Sequence, residues 1–353
     1  MEAIDVIKVF VPSIIAFWTG IVLTPFVTHF LYKYKLWKKE ARSETFDGGK
    51  TPLFNALHKE RETKVPRMGG VIIWLSAVFV TSLFLFFDIF TDFEWAEKFN
   101  FLSRNQTWLP LFTLVAASIV GLVDDLFVVF GKGEYIGGGL SLRLRILIVL
   151  IIGAIGAWWF FVKLDTSVLL IPFLGEISLG IFFIPFFMFV MLALFSGGVI
   201  DGIDGLAGGV FATIFTAYAG IAFFQNQIDL AAFCAVLVGA LLAFLWFNIP
   251  PARFYMSETG VLGLTTTLAV VAFLTNAVFV LPIIALPLFV APMSNIVQIV
   301  SRKYFGKKVF LIAPIHHHFE ALGWPPYKVT MRFWVLSAVC AVFGMVIALM
   351  SVR

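Results

Sequence analysis

Ten apolar stretches divide this chain of 353 residues, near 8–32, 69–90, 108–130, 144–163, 180–199, 205–224, 229–247, 260–277, 279–299 and 333–351. Each approaches the ~20 residues a helix needs to cross a hydrocarbon layer. In lipid a backbone must satisfy its own hydrogen bonds, so each run reads as a helix. The expectation is an all-α polytopic membrane protein with about ten transmembrane helices, forming one integral-membrane domain over residues 1–353. A composition 61% hydrophobic and 13% charged excludes an ordinary soluble domain. The apolar block 260–300 is too long for one span and divides at Thr275-Asn276. Pro282, Pro287 and Pro292 predict a kink or break in the ninth span. Residues 164–179 alternate weakly about a glycine-containing turn and predict a short external β-hairpin. Cys234 and Cys340 both lie inside apolar runs and read as packing residues. The N-terminal run lacks a small-residue cleavage site and reads as a retained first helix, not a signal peptide.

Ten spans put both termini on one side. The loops after spans 1, 3, 5, 7 and 9, with their flanks, then hold twenty Lys/Arg, and the opposite set holds three: Lys98, Arg104 and Lys163. Ten of the twenty fall in residues 33–67: Lys33, Lys35, Lys38, Lys39, Arg42, Lys50, Lys59, Arg61, Lys64 and Arg67. Basic loops stay in the cytoplasm, so the first set is cytoplasmic and both termini are outside. A net charge of +4, gathered in these loops, marks membrane orientation and not nucleic-acid binding.

Carboxylates and imidazoles are costly at membrane depth and need a reason to be there. All the polar motifs fall in the cytoplasmic set. Asp124 and Asp125 close the third span, as a solvated helix end or as a metal-binding or proton-abstracting pair. Asp201 and Asp204 sit three apart in Asp-Gly-Ile-Asp-Gly, where a helical turn would put both on one face. The alternative there is a simple glycine-rich turn. Between Asn248 and Gly260, Tyr255 can stack on a base, and Glu258 can either ligate Mg²⁺ or serve as an N-terminal helix acid. His316, His317 and His318 lie near Lys303, Lys307, Lys308 and Lys328. Consecutive histidines rarely all ligate one ion, so phosphate or sugar recognition is favoured over zinc. Lys64 and Arg67, before the second span, read equally as phosphate ligands and as topology anchors.

Together these motifs resemble the polyprenyl-phosphate N-acetylhexosamine-1-phosphate transferases over nearly the whole chain. The stretch from Lys308 to Trp324, continuing to Arg332-Phe-Trp, together with Phe244-Leu-Trp-Phe-Asn248, resembles the muramoyl-pentapeptide branch. The resemblance implies that Asp124 and Asp125 handle the lipid phosphate. Asp201 and Asp204 match an Asp-Gly-x-Asp motif whose second aspartate lies by the uridine. Asn248 matches a nucleoside-site asparagine, Tyr255 an aromatic that stacks on uracil, and Glu258 the metal-binding aspartate. The three histidines match the family's histidine motif. Four departures stand out. The family's Met-Gly-Asp-x-Gly-Ser is here Met256-Ser257-Glu258-Thr259-Gly260-Val261. An asparagine is replaced by Gly198, and a lysine after the acidic pair by Val128, for which Lys132 is a candidate substitute. Lys64-Val-Pro-Arg67 stands where the muramoyl branch has Gly-Thr-Pro-Thr.

The implied function is Mg²⁺-dependent transfer of phospho-MurNAc-pentapeptide from a UDP-activated donor to undecaprenyl phosphate. That places a UDP-sugar, a polyprenyl phosphate and the bilayer among its partners, admits a homodimer, and sets the protein in a bacterial inner membrane with its site facing the cytoplasm. Transfer of GlcNAc-1-phosphate is the alternative within the class. A non-catalytic binder of lipid phosphate or nucleotide-sugar is the alternative outside it. The charge split makes a direct prediction. Single cysteines at 64, 125, 204, 258 and 317 will resist an impermeant external reagent in intact cells. External labelling of any one of them refutes the topology.

Overall fold

The structure, a computed structural model, describes residues 3–39, 63–103, 106–132 and 138–351. Arg42, Lys50, Lys59, Arg61 and Arg104 of the charge argument lie outside the described residues. Helices α1 (Ala3–Lys33), α2 (Val71–Phe90), α4 (Trp108–Val129) and α5 (Leu142–Trp158) precede the hairpin, with a short α3 (Glu94–Phe99) between α2 and α4. Strands β1 (Val168–Ile171) and β2 (Gly175–Ser178) pair antiparallel, Val168 opposite Ser178 and Ile171 opposite Gly175. Then follow α6 (Phe183–Ser196), α7 (Leu206–Phe224), α8 (Ile228–Asn248), α9 (Ser257–Leu274), α10 (Leu281–Ile284), α11 (Leu286–Phe305), α12 (Ile315–Ala321) and α13 (Pro326–Ser351). Nine helical segments of the described residues are long and apolar enough to span a membrane, ten counting α10 with α11.

The break in that pair has a local cause. Pro282 and Pro287 sit in the first turns of α10 and α11, where a missing N–H costs nothing, and the two helices meet at a 77° bend. Pro292 remains inside α11. The predicted hairpin is present, and Leu170 N–H donates to Asn276 Oδ1 at 2.9 Å, which fastens it beyond the C-terminal end of α9.

Helix α9 is the axis of the bundle. It is apolar on every side, and 89% of its most apolar window is buried against 22% for α1. Its threonines return their hydroxyls to the preceding turn: Thr265 Oγ1 to Val261 O and Thr266 Oγ1 to Leu262 O, both at 2.8 Å. Helix α4 packs along α9 through small residues, as lipid-embedded helices do. A Cβ on Gly121 would lie 2.1 Å from the Glu258 carbonyl oxygen, and one on Gly263 would lie 2.1 Å from Ser118 Oγ. Neither position admits a side chain without moving a helix. Gly121→Val should therefore lower stability by about 2–3 kcal/mol or more and abolish function. Thermal unfolding of the purified protein checks this, with Phe112→Val on the exposed face of the same helix expected to be near neutral.

Candidate active site

The α4–α9 contact sets the position of the first carboxylate. Asp125 lies one turn after Gly121, on the face turned to the N-terminus of α9. There its Oδ2 accepts from the Thr259 N–H at 2.9 Å and the Thr259 hydroxyl at 2.7 Å. First-turn N–H groups have no partner within their own helix and favour a negative charge. Asp125 Oδ1 accepts from Arg67 Nε at 3.1 Å. Arg67 is held by a backbone ladder: Tyr255 N–H to Pro66 O at 2.9 Å, Gly69 N–H to Tyr255 O at 2.8 Å, and Gly70 N–H to Met256 O at 3.1 Å. Gly70 lies so close to Gly260 that a Cβ there would be 2.3 Å from its nitrogen.

Asp124 points to the other side of α4. Its Oδ1 accepts from Leu140 N–H at 2.6 Å, and its Oδ2 is 3.0 Å from Arg145 Nη2. Arg145 Nη1 reaches Glu258 Oε1 at 2.9 Å, and its Nε donates to Leu140 O at 3.1 Å. One guanidinium thus joins a carboxylate on α4 to one on α9. Gly139 makes the turn beside them at φ +97°, where a Cβ would meet Asp124, Arg145 and Val128 within about 3 Å. The Arg145 role was not read from the sequence, where it counted only as a loop cation. The signal was present: an arginine four residues into an apolar helix needs a carboxylate to pair with. Lys132, the candidate substitute for the lysine replaced by Val128, is exposed just beyond α4.

The segment carrying Asp201 and Asp204 is a tight turn and not a helix, so the two carboxylates do not share a face. Asp201 instead holds the first residue of α9, and Asp204 the loop before it. Asp201 Oδ2 accepts from Ser257 N–H at 2.7 Å, and Asp204 Oδ2 from Ala252 N–H at 3.1 Å. Burial pushes the Asp201 carboxyl up to about 6, against the pull of the Ser257 N–H and Arg67. Asn248 closes the same loop, accepting from Gly205 N–H at 3.0 Å and donating to Phe254 O at 2.8 Å. Helix α13 adds Thr330, whose hydroxyl donates to Asp204 O, and Trp334, whose indole donates to Gly205 O.

The histidines separate as 100° per residue on a helix requires. His316 and His317 are buried and face the aspartate turn: a Cβ on Gly202 would lie 2.5 Å from His316 Nε2 and 2.7 Å from His317 Nε2. His317 Nδ1 is 2.6 Å from Glu320 Oε2, a partner that fixes its ring. His318 turns away and accepts from Leu311 N–H at 3.2 Å beside Phe310. Tyr255 is half-buried in the loop before α9, and Lys64 is exposed ahead of α2. The structure therefore gathers Asp124, Asp125, Asp201, Glu258 and Arg67 around the N-terminus of α9, with Asp204, Asn248, His316 and His317 beside them.

Comparison with known proteins decides the family. Residues 107–276 match the model of glycosyl transferase family 4. A phospho-N-acetylmuramoyl-pentapeptide-transferase from Latilactobacillus sakei subsp. sakei is 33% identical, over 93% of this chain and 96% of its own. One from Geobacillus sp. is 32% identical, over 95% and 96%. Another from Geobacillus thermodenitrificans is 32% identical over 94% and 95%. This chain belongs to glycosyl transferase family 4, in its phospho-N-acetylmuramoyl-pentapeptide-transferase branch.

Membership of that branch changes how the departures read. Two of them meet in space: a Cβ on Gly198 would lie 2.7 Å from Val261 Cγ1, so the valine side chain lies where a side chain at 198 would begin. Another concerns the ion a glycosyl transferase of this branch implies. Among the described residues no three His, Cys, Asp or Glu side chains stand ready to hold a metal. The cluster nevertheless fits a divalent cation in charge. Among the described residues four carboxyl groups, Asp124, Asp125, Asp201 and Glu258, gather with two guanidiniums, Arg67 and Arg145. Glu258 is the most open of the ion-paired carboxylates, its side chain 28% exposed. Mg²⁺ takes one or two protein carboxylates and fills its shell with phosphate and water oxygens, which suits that position.

Removing the bridging cation should cost more than removing a loop cation. Arg145→Met leaves two facing carboxylates unneutralised and should lower stability by about 3 kcal/mol. Lys132→Met should change it by less than about 0.5 kcal/mol. Thermal or denaturant unfolding in detergent compares the two, and equal effects would remove Arg145 from the cluster.

Proposed function

We propose that this chain transfers phospho-MurNAc-pentapeptide from its UDP-activated donor to undecaprenyl phosphate, yielding the lipid-linked sugar and UMP. The observation that supports this most directly is the cluster of four carboxylates and two guanidiniums about the N-terminus of α9. It lies at one end of a membrane-spanning bundle, where a lipid phosphate and a soluble nucleotide can meet. The positive-charge split supports a cytoplasmic orientation of that end, and the transferase reading implies a bacterial inner membrane.

In this reading an oxygen of the lipid phosphate attacks the β-phosphorus of the donor. The bond from that phosphorus to the bridging oxygen breaks, and the oxygen leaves on UMP. Arg67 spends Nε on Asp125 and presents Nη donors of the kind phosphate prefers. Asp124 and Asp125 hold the two guanidiniums in place and so position the lipid phosphate. Asp201 holds the start of α9, and its carboxylate can take a proton from an incoming phosphate. Asp204 and Asn248 brace the loop that carries Tyr255, which stacks on the uracil. His316 and His317 bind sugar or phosphate beside Gly202. Mg²⁺ held by Glu258 would neutralise the charge that develops on the departing phosphate.

Purified protein given undecaprenyl phosphate should release UMP with UDP-MurNAc-pentapeptide and not with UDP-GlcNAc. Asp125→Asn and Asp204→Asn should each lower turnover at least 100-fold, about 2.7 kcal/mol of barrier, while the protein stays folded. Glu258→Gln should abolish Mg²⁺-dependent release, and Glu258→Asp should leave reduced activity that added Mg²⁺ restores. Full activity of Glu258→Gln at limiting Mg²⁺ would move the ion to Asp124, Asp125 or Asp201. Near-normal turnover in both aspartate variants would return those residues to a structural role.

A further inference from the structure

Ser257, the first residue of α9, combines two features that packing does not account for. Its backbone sits at φ +56°, in the left-handed region that favours glycine and penalises a Cβ. Its side chain is buried, the residue only 4% exposed, yet the hydroxyl has no hydrogen-bond partner among the described residues. Buried hydroxyl groups are nearly always satisfied. Strain and an unmet donor at one residue are a pairing found where a ligand completes the site. The neighbours say what kind of ligand. The Ser257 N–H is taken by Asp201, and the next two side chains are Glu258, paired with Arg145, and Thr259, paired with Asp125. The nearby carboxylates are thus each held by an amide, a hydroxyl or a guanidinium, and the Ser257 hydroxyl is the donor left over beside them among the described residues. A helix N-terminus adds positive potential at the same point.

We propose that the Ser257 hydroxyl donates a hydrogen bond to a phosphate oxygen of the UDP-sugar donor, a contact that a glycine at this position cannot make. The inference rests on the transferase reading of the site and adds a substrate-contacting residue to it. A hydroxyl that meets the diphosphate equally in the ground and transition states strengthens donor binding without changing the chemical step.

Two variants of the full-length protein in nanodiscs separate the hydroxyl from the strain. Ser257→Gly removes both, and Ser257→Ala removes the hydroxyl and keeps the Cβ. Both should raise KM for the UDP-donor about tenfold with kcat within about twofold of the parent. The KM for undecaprenyl phosphate should not move. Both should raise the melting temperature of the ligand-free protein, Ser257→Gly the more, because it also relieves the left-handed backbone. Parent-like KM in Ser257→Ala overturns the proposal. So does a KM defect in Ser257→Ala that Ser257→Gly lacks, since both variants lack the hydroxyl. A parent protein that releases no UMP from any UDP-sugar refutes the transferase reading itself, whatever the variants do in thermal unfolding.

Discussion

Everything at the active end depends on how closely α4 meets the first turn of α9. With hydrogen in place of a side chain at Gly121, the carbonyl of Glu258 comes against the α4 backbone. That approach brings Asp125 within reach of the Thr259 amide and hydroxyl. The same first turn offers the Ser257 amide to Asp201. Two carboxylates from distant parts of the chain are thus held by two first-turn amides of one helix, those of Ser257 and Thr259. Low dielectric makes those bonds strong and makes their loss costly. The arginines then tie in what the helix end does not hold, Arg67 on one side and Arg145 on the other.

Much of this architecture was legible because membrane depth leaves the backbone so few choices. The runs near 108–130 and 229–247 became Trp108–Val129 and Ile228–Asn248, and the proline-rich ninth span broke where its prolines begin new turns. The hairpin at 164–179 was readable from its alternation and turn glycine. The partners of the polar residues were less legible, since contacts such as Arg145 with Glu258 span more than a hundred residues. Spacing also misled where it assumed regular structure. Asp201 and Asp204 are three apart, but a turn and not a helix carries them, so one braces the start of α9 and the other the loop before it. The three consecutive histidines do lie on a helix, and that is why His318 cannot join its neighbours.

The replaced motif residues therefore form a site that is altered and still coherent. Glu258 has a longer reach than the aspartate it replaces, and Arg145 meets it from across the cluster. Val128 is buried against the glycine turn that delivers Leu140 to Asp124, so an apolar residue there supports the cluster from beneath.

The Gly198–Val261 contact carries a consequence for how such a site can change over time. A larger residue at 198 has no room while valine occupies 261. Restoring asparagine first would force a clash, whereas trimming Val261 to serine first would leave only a small gap. A side chain at 198 and the valine at 261 thus compete for one space, so the effect of a change at either position depends on the residue at the other.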